Sequence, residues 1–265
     1  MLGDYHTHTQ FSLDSEAPIP AMIERAIELG LSHICFTDHM DMDYPEDEDF
    51  TFDTNLYFRE MREYQSQYAD RIKVLIGVEL GLQPHLANTH AAYLKQYPFD
   101  YVIGSVHLVN NMDPYFDKAF EGRTDEEVFR CYFEDTLKNV QAFHEFDSMG
   151  HLDYVVRYGR HGSQEYSYEK FKDIIDEILK ILVANGKALE VNTAGLRKNL
   201  GFPNPHGKIV RRYHELGGEM ITIGSDAHKP AQMGYGFHQL KDILGEAGFH
   251  QYVRFENRKP VFVDL

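Results

Sequence analysis

At 265 residues, 43% of them apolar and 13% aromatic, the chain can bury a substantial core and reads as one domain spanning 1–265. Its 26 basic against 42 acidic residues give a formal charge of −16, which repels nucleic acid and anionic membrane unless a local cation intervenes. No basic stretch leads into an apolar core at the N-terminus, and no apolar run approaches the roughly 18–20 residues that span a bilayer, so a cytoplasmic protein with neither nucleic-acid nor membrane partners is expected.

The first pattern in the chain is DYHTHTQFSLD (4–14), in which His6 and His8 stand one residue apart and Asp14 follows six later. Short apolar runs, several rich in β-branched residues, then recur as SHICFTDH (32–39), IKVLIGVEL (72–80), FDYVIGSVH (99–107), DSMGHLD (147–153), KALEVN (187–192) and EMITIGSD (219–226). Helical patterns lie between them at 18–30, 55–69, 124–143, 167–186 and 205–217. Pro18, a Thr124–Glu127 capping box and Pro205 mark helix starts. This alternation predicts a parallel sheet with helices outside, as a barrel or a doubly wound sheet. Cys35 and Cys131 sit among apolar residues and are expected as reduced, buried thiols.

The ionisable residues fall at the C-terminal ends of the predicted strands. His6 and His8 close the first, His39 the second, Glu79 the third and His107 the fourth; His151 lies in the fifth, and Asp226 and His228 follow the seventh. In a (β/α) barrel those ends converge on one face, the face that carries active sites. The i, i+2 spacing of His6 and His8 puts both on one side of an extended strand, and Asp226 with His228 repeats this if the chain stays extended there. With Asp14, these residues can point six imidazoles and three carboxylates into one mouth, a set suited to binding metal.

H-x-H-T near the N-terminus, FTDH, GVE, GSVH, GHLD and the late GSDAH resemble, in that order, the PHP (polymerase and histidinol phosphatase) superfamily, and the GSVH and GHLD elements resemble its histidinol-phosphate phosphatases. The resemblance implies a distorted (β/α)7 TIM-like barrel holding three divalent transition metals. It assigns His6, His8 and Asp226 to one metal, with Glu79 bridging to a second held by His107 and His151, and Asp14, His39 and His228 to a third. Many members have histidine at the position of Asp14. Mixed nitrogen and oxygen ligation suits zinc, iron or manganese.

Such a cluster stays net positive despite its three carboxylates and draws in a phosphate dianion, while a metal-bridging hydroxide attacks phosphorus. The expected partner is a small-molecule phosphomonoester, L-histidinol phosphate above all, with a PHP-type tyrosine phosphatase and a non-catalytic metal-binding protein as alternatives. Arg160 and Arg197, in loops after the fifth and sixth strands, are expected to clamp phosphate beside the catalytic Glu79 and Asp226. The acidic stretch 41–53 is expected to form a loop over the mouth, with Asp41 and Asp43 meeting the amine or imidazole, and Asp38 is expected to orient a histidine from behind. Other phosphatase chemistries fit less well. DMD at 41–43 lies beyond a strand end, where an aspartyl nucleophile would not sit, and neither cysteine has arginine six residues on.

Overall fold

The computed structural model describes residues 2–45 and 48–265. Seven parallel strands follow the order β1-β2-β4-β5-β6-β7-β8, where β1 is Gly3–Thr7, β2 His33–Phe36, β4 Lys73–Gly81, β5 Tyr101–Ser105, β6 Ser148–Met149, β7 Ala188–Asn192 and β8 Ile221–Gly224. A two-residue strand, β3 (His39–Met40), continues β2 beyond a break and pairs with β4. The barrel closes where Thr7 bridges Ala227, through His8 N–H to Ala227 O at 2.9 Å and Asp226 N–H to His6 O at 2.8 Å.

Helices α1 (Ile19–Glu28), α2 (Thr54–Gln67), α3 (Ala87–Gln96), α4 (Asp125–Ala142), α5 (Tyr168–Ala184), α6 (Ala194–Arg197), α7 (Gly207–Glu215) and α8 (Leu240–Ala247) complete the parallel part of the fold. Their apolar faces bury against the outward strand residues Ile34, Phe36, Val74, Ile76 and Val191 in one core. Thr124 caps α4 in the expected capping box. Pro205 does not open α7. It sits in a cis peptide with Asn204, and His206 caps the helix instead. Cys131 is only partly buried, a departure from expectation, because it lies on the outer side of α4; Cys35 is fully buried.

Every second strand residue faces into the barrel, so each strand runs from packing at its start to chemistry at its end. Strand β4 places Leu75 low and Glu79 high, and β5 runs from Tyr101 and Ile103 to Ser105. A middle layer joins three strands, with Tyr101 Oη donating to Thr222 Oγ1 at 3.1 Å and Ser148 Oγ 2.7 Å from the same atom. In β1 the register slips by one residue between Asp4, opposite Ile34, and Thr7, opposite Phe36. The bulge lets two adjacent residues enter the barrel: Tyr5 joins Cys35, Leu75 and Tyr101 below, while His6 meets Glu79 above.

The chain ends in an antiparallel hairpin, β9 (Gln251–Glu256) and β10 (Lys259–Asp264), whose Val253 and Phe255 pack against Tyr5, Tyr101 and Ile103 at the N-terminal end of the barrel. No described helix is long and apolar enough to cross a membrane.

Candidate metal centre

Glu79 is the hub at the C-terminal end of the barrel. Its Oε2 lies 3.1 Å from His6 Nε2, 3.5 Å from His8 Nε2 and 3.1 Å from His39 Nδ1; its Oε1 lies 3.2 Å from His107 Nε2 and 3.0 Å from His151 Nε2. Ser105 Oγ donates to Oε1 at 2.6 Å. Burial pushes the carboxyl pKa up, but the imidazoles of His6, His39 and His107 outweigh it and hold the group well below the usual carboxylate range.

The imidazoles are oriented from behind, which fixes their tautomers. His6 Nδ1–H donates to Glu190 Oε1 at 2.6 Å and His107 Nδ1–H to Asp41 Oδ1 at 2.6 Å. His8 Nδ1–H donates to Ser12 Oγ at 3.0 Å, and that hydroxyl donates to Asp38 Oδ1 at 2.8 Å. His228 Nδ1–H donates to the Asp226 carbonyl at 3.2 Å. Each of these four rings therefore turns a lone pair on Nε2 inward. Two glycines make room for the arrangement. A Cβ at Gly224 would lie 2.3 Å from His6 Cβ and 2.7 Å from Glu190 Oε1, and one at Gly81 would meet Asp41 Oδ1 at 2.0 Å.

Asp226 is not on extended chain as anticipated. Its φ of 53° turns the loop into the left-handed region, so the i, i+2 geometry of β1 is not repeated; backbone bonds and ion pairs hold the conformation instead. Arg197 donates through its two Nη atoms to the Ser225 and Asp226 carbonyls at 3.0 Å each, and Arg157 Nη1 donates to Asp226 Oδ2 at 2.8 Å. Asp226 Oδ1 lies 3.5 Å from His8 Nε2 and 3.8 Å from His6 Nε2. Asp14, half exposed at the rim, places Oδ2 3.0 Å from His228 Nε2 and Oδ1 3.8 Å from His39 Nε2, and those imidazoles hold its carboxyl pKa down against partial burial.

All nine residues singled out in the sequence thus converge, His151 from just past β6 rather than within it. Compact groups of candidate ligand atoms form from His6, His8 and Asp226; from His39, Glu79 and His107; from His6, Glu79 and His151; and from His8, His39 and His228. The donor set fits a metal. Buried His8 Nε2, His39 Nδ1, His107 Nε2 and His228 Nε2 make no hydrogen bond, and protons cannot serve all these rings at once without crowding like charges.

A cavity of about 480 Å³ opens on this cluster. Its lining includes the cations Arg157, Arg197, Lys198 and Lys229, the carboxylate of Asp113 and several aromatic rings, with the Arg157 guanidinium 5.2 Å over the Tyr154 ring. Three expected contacts are corrected here. Arg160 is exposed and points away, its Nη2 donating to the Asp117 carbonyl at 3.3 Å, because two 3₁₀ turns (Tyr154–Tyr158 and Gly162–Glu165) reorient the loop and turn Arg157 inward in its place. Asp43, with φ 54°, lies outside the cavity beside His85, 3.2 Å from its Nε2. Asp41 is at the wall but buried and committed to His107, with His39 Nδ1 3.5 Å away. Glu48 and Phe50 keep the acidic stretch at the mouth, as expected; Glu46 and Asp47 lie outside the described residues. Asp38 acts on His8 through Ser12 rather than directly. Glu190 was missed, although a glutamate inside KALEVN is a signal in itself, since a buried charge demands a partner.

A PHP domain model matches residues 4–194. The "Probable histidinol-phosphatase" of Clostridium acetobutylicum is 37% identical over 100% of this chain and 97% of its own length. The histidinol-phosphatase of Lactococcus lactis subsp. lactis is 34% identical over 97% of this chain and 95% of its own. A crystal structure of that species' histidinol phosphate phosphatase, complexed with zinc, L-histidinol and phosphate, superposes with a TM-score of 0.91 over 98% of both chains. Taken with the cluster at the strand ends, these similarities place the chain in the PHP family, on its histidinol-phosphatase branch.

Proposed function

We propose that this chain is a metal-dependent phosphomonoesterase that hydrolyses L-histidinol phosphate to L-histidinol and phosphate in histidine biosynthesis. The observation that carries the reading is the set of inward imidazole nitrogens gathered on Glu79, several of them without a hydrogen bond, opening on a cavity lined by two arginines and two lysines. Full-length similarity to histidinol-phosphatases supports the substrate.

His6, His8 and Asp226 would hold one ion, Glu79 would bridge to a second with His107 and His151, and Asp14, His39 and His228 would hold a third. Zinc, which the Lactococcus structure contains, and iron or manganese all suit this ligation. Divalent ions bound there supply Lewis acidity, acidifying water towards neutral pH and offsetting charge on phosphoryl oxygens. The protein's own groups do the rest. Glu190, Asp41 and the Ser12–Asp38 pair keep protons on the rear Nδ1 atoms of His6, His107 and His8, so the forward nitrogens stay basic. Arg157 and Arg197 hold Asp226 in its left-handed conformation and set positive charge beside the place where phosphate docks.

Metal analysis of purified protein, paired with phosphate release from L-histidinol phosphate, an aryl phosphate and a phosphotyrosine peptide, tests the reading. We expect bound transition metal, loss of activity on chelation and highest kcat/KM on L-histidinol phosphate. Full activity in metal-free protein would overturn it.

A further inference from the structure

The candidate ligands Asp226 and His228 ride on one loop, residues 225–234 after β8, and both ends of that loop return to a single carboxylate. Asp4 on β1 is fully buried and accepts four hydrogen bonds. Its Oδ1 takes Ser225 N–H at 2.9 Å and, more weakly, His6 N–H at 3.4 Å. Its Oδ2 takes the Ser225 hydroxyl and, at 3.2 Å, Gly234 N–H. Gly234 turns the chain back at φ 62°, a conformation glycine adopts without strain.

Ser225 is gripped from two sides. Asp4 holds its N–H and hydroxyl, and Arg197 Nη1 donates to its carbonyl at 3.0 Å. The next residue is Asp226, left-handed at φ 53°, whose carbonyl in turn orients His228 Nδ1. A shift of Ser225 therefore moves the Asp226 carboxylate and, through the Asp226 carbonyl, the His228 ring. Only a carboxylate serves both ends of the loop. An amide at position 4 has one oxygen and one NH2, and whichever way it turns, its N–H groups face the backbone N–H of Ser225 or that of Gly234.

We propose that Asp4 is a positioning residue that staples the loop 225–234 to β1 and thereby sets the metal affinity of the two sites to which Asp226 and His228 belong. This rests on the metal-dependent reading above and deepens it: affinity is divided within the cluster. The ion assigned to Glu79, His107 and His151 takes its ligands from β4 and from the chain just past β5 and β6, so it is independent of the staple.

The test uses zinc-loaded wild type, Asp4→Asn and, as a control for general loosening, Phe255→Ala at the other end of the barrel. Zinc is withdrawn with a chromophoric chelator of known affinity, and the Kd and number of retained ions are read by absorbance and native mass spectrometry. Groups that support metal ligands from behind change affinity by about 10- to 100-fold. Asp4→Asn should weaken two ions by that factor, leave the third within about threefold of wild type, and recover kcat to within about threefold in excess zinc. Phe255→Ala should keep wild-type zinc affinity while unfolding at lower denaturant. Equal weakening of every ion, unchanged Kd throughout, or the same losses in Phe255→Ala would overturn the assignment, since each would make Asp4 a support of the fold alone. Ser225→Ala decides the matter if Asp4→Asn folds poorly. It deletes only the hydroxyl bond and should weaken the same two ions by roughly 3- to 10-fold, and unchanged Kd in this variant also overturns the staple. Zinc held in an Asp4-dependent way by a protein that releases no phosphate would sink the phosphatase reading and uphold the assignment of Asp4.

Discussion

The two ends of the barrel are built from the same strands by opposite means. At the C-terminal end the buried Glu79 and Glu190 and the partly buried His39 belong to a polar cluster in which several imidazole nitrogens, His39 Nδ1 among them, make no hydrogen bond. At the N-terminal end, two to four residues earlier along the chain, Leu75, Cys35 and Ala188 meet Val253 and Phe255 of the closing hairpin in an apolar plug. The hairpin is latched at its tip. Asn257 and Arg258 are both left-handed, their N–H groups donate to Asp100, and the Arg258 guanidinium reaches Asp147 and the Glu145 carbonyl. One end therefore holds the barrel together so that the other can keep groups that burial alone would disfavour.

Glu79→Gln should break the active end most severely. Removing the charge that gathers the inward imidazoles should lower kcat/KM by about 100-fold or more, and bound metal should fall with it. Circular dichroism should still report a folded barrel, since the plug is untouched. An active, metal-replete Glu79→Gln would show that the hub is dispensable.

Phe255→Ala should do the reverse. Its ring stacks on Tyr101 at 5.4 Å and is 3% exposed, so truncation should destabilise by about 3 kcal/mol, near the lower end for phenylalanine because a terminal hairpin can relax. Denaturant midpoints check this; kcat/KM of the folded enzyme at 25 °C should change by less than about twofold. A large kcat/KM loss would mean that the two ends are coupled.

Arg157→Ala and Arg160→Ala sharpen the boundary of the active end. Arg157 donates to Asp226, Asn192 and Asn204, so its loss should lower kcat/KM by roughly 10- to 100-fold, whereas exposed Arg160 should tolerate alanine within about twofold. Reversed effects on kinetics would reinstate the residue expected from sequence.

That exchange shows where sequence reading stops. Strand ends were legible because β-branched runs alternate with amphipathic helices, and residues at the ends of parallel strands must converge, as His6, Glu79 and His107 do. Loops obey no such period. Arg157 and Arg160 are three residues apart in one loop, and only its two 3₁₀ turns decide which faces the cavity. The bulge that admits both Tyr5 and His6 depends on pairing with β2, which β1 alone does not encode. The terminal hairpin went unread because its Asn257–Arg258 turn lacks the usual Asn-Gly signature, and α3 because its sequence ANTHAAYLKQ carries little amphipathic pattern. Asp41 followed the motif but was drawn inside by β3, where it serves a histidine.

His90 gives the comparison its mildest test, since it is an imidazole buried outside the active end with neither ring nitrogen hydrogen-bonded. It sits on α3, 5.5 Å from the Phe143 ring, with no carboxylate behind it such as Glu190 provides for His6. Burial lowers its pKa from 6.5 to about 4, with nearby Asp41 opposing only in part. The folded state therefore favours neutral His90. The stability this represents is complete above pH 6.5 and is lost progressively as pH falls towards 4, at about 1.4 kcal/mol per unit. At pH 5 the deficit is about 2 kcal/mol, or a few degrees in Tm for a chain of this size. His90→Leu, which fills the site without a titrating group, should leave Tm at pH 7.5 within about 2 °C of wild type and narrow the drop between pH 7.5 and 5 by that amount. An identical pH profile would mean that His90 charges without cost in the folded state, and that it is the carboxylates behind the rings at the active end, more than burial, that set imidazole protonation in this barrel.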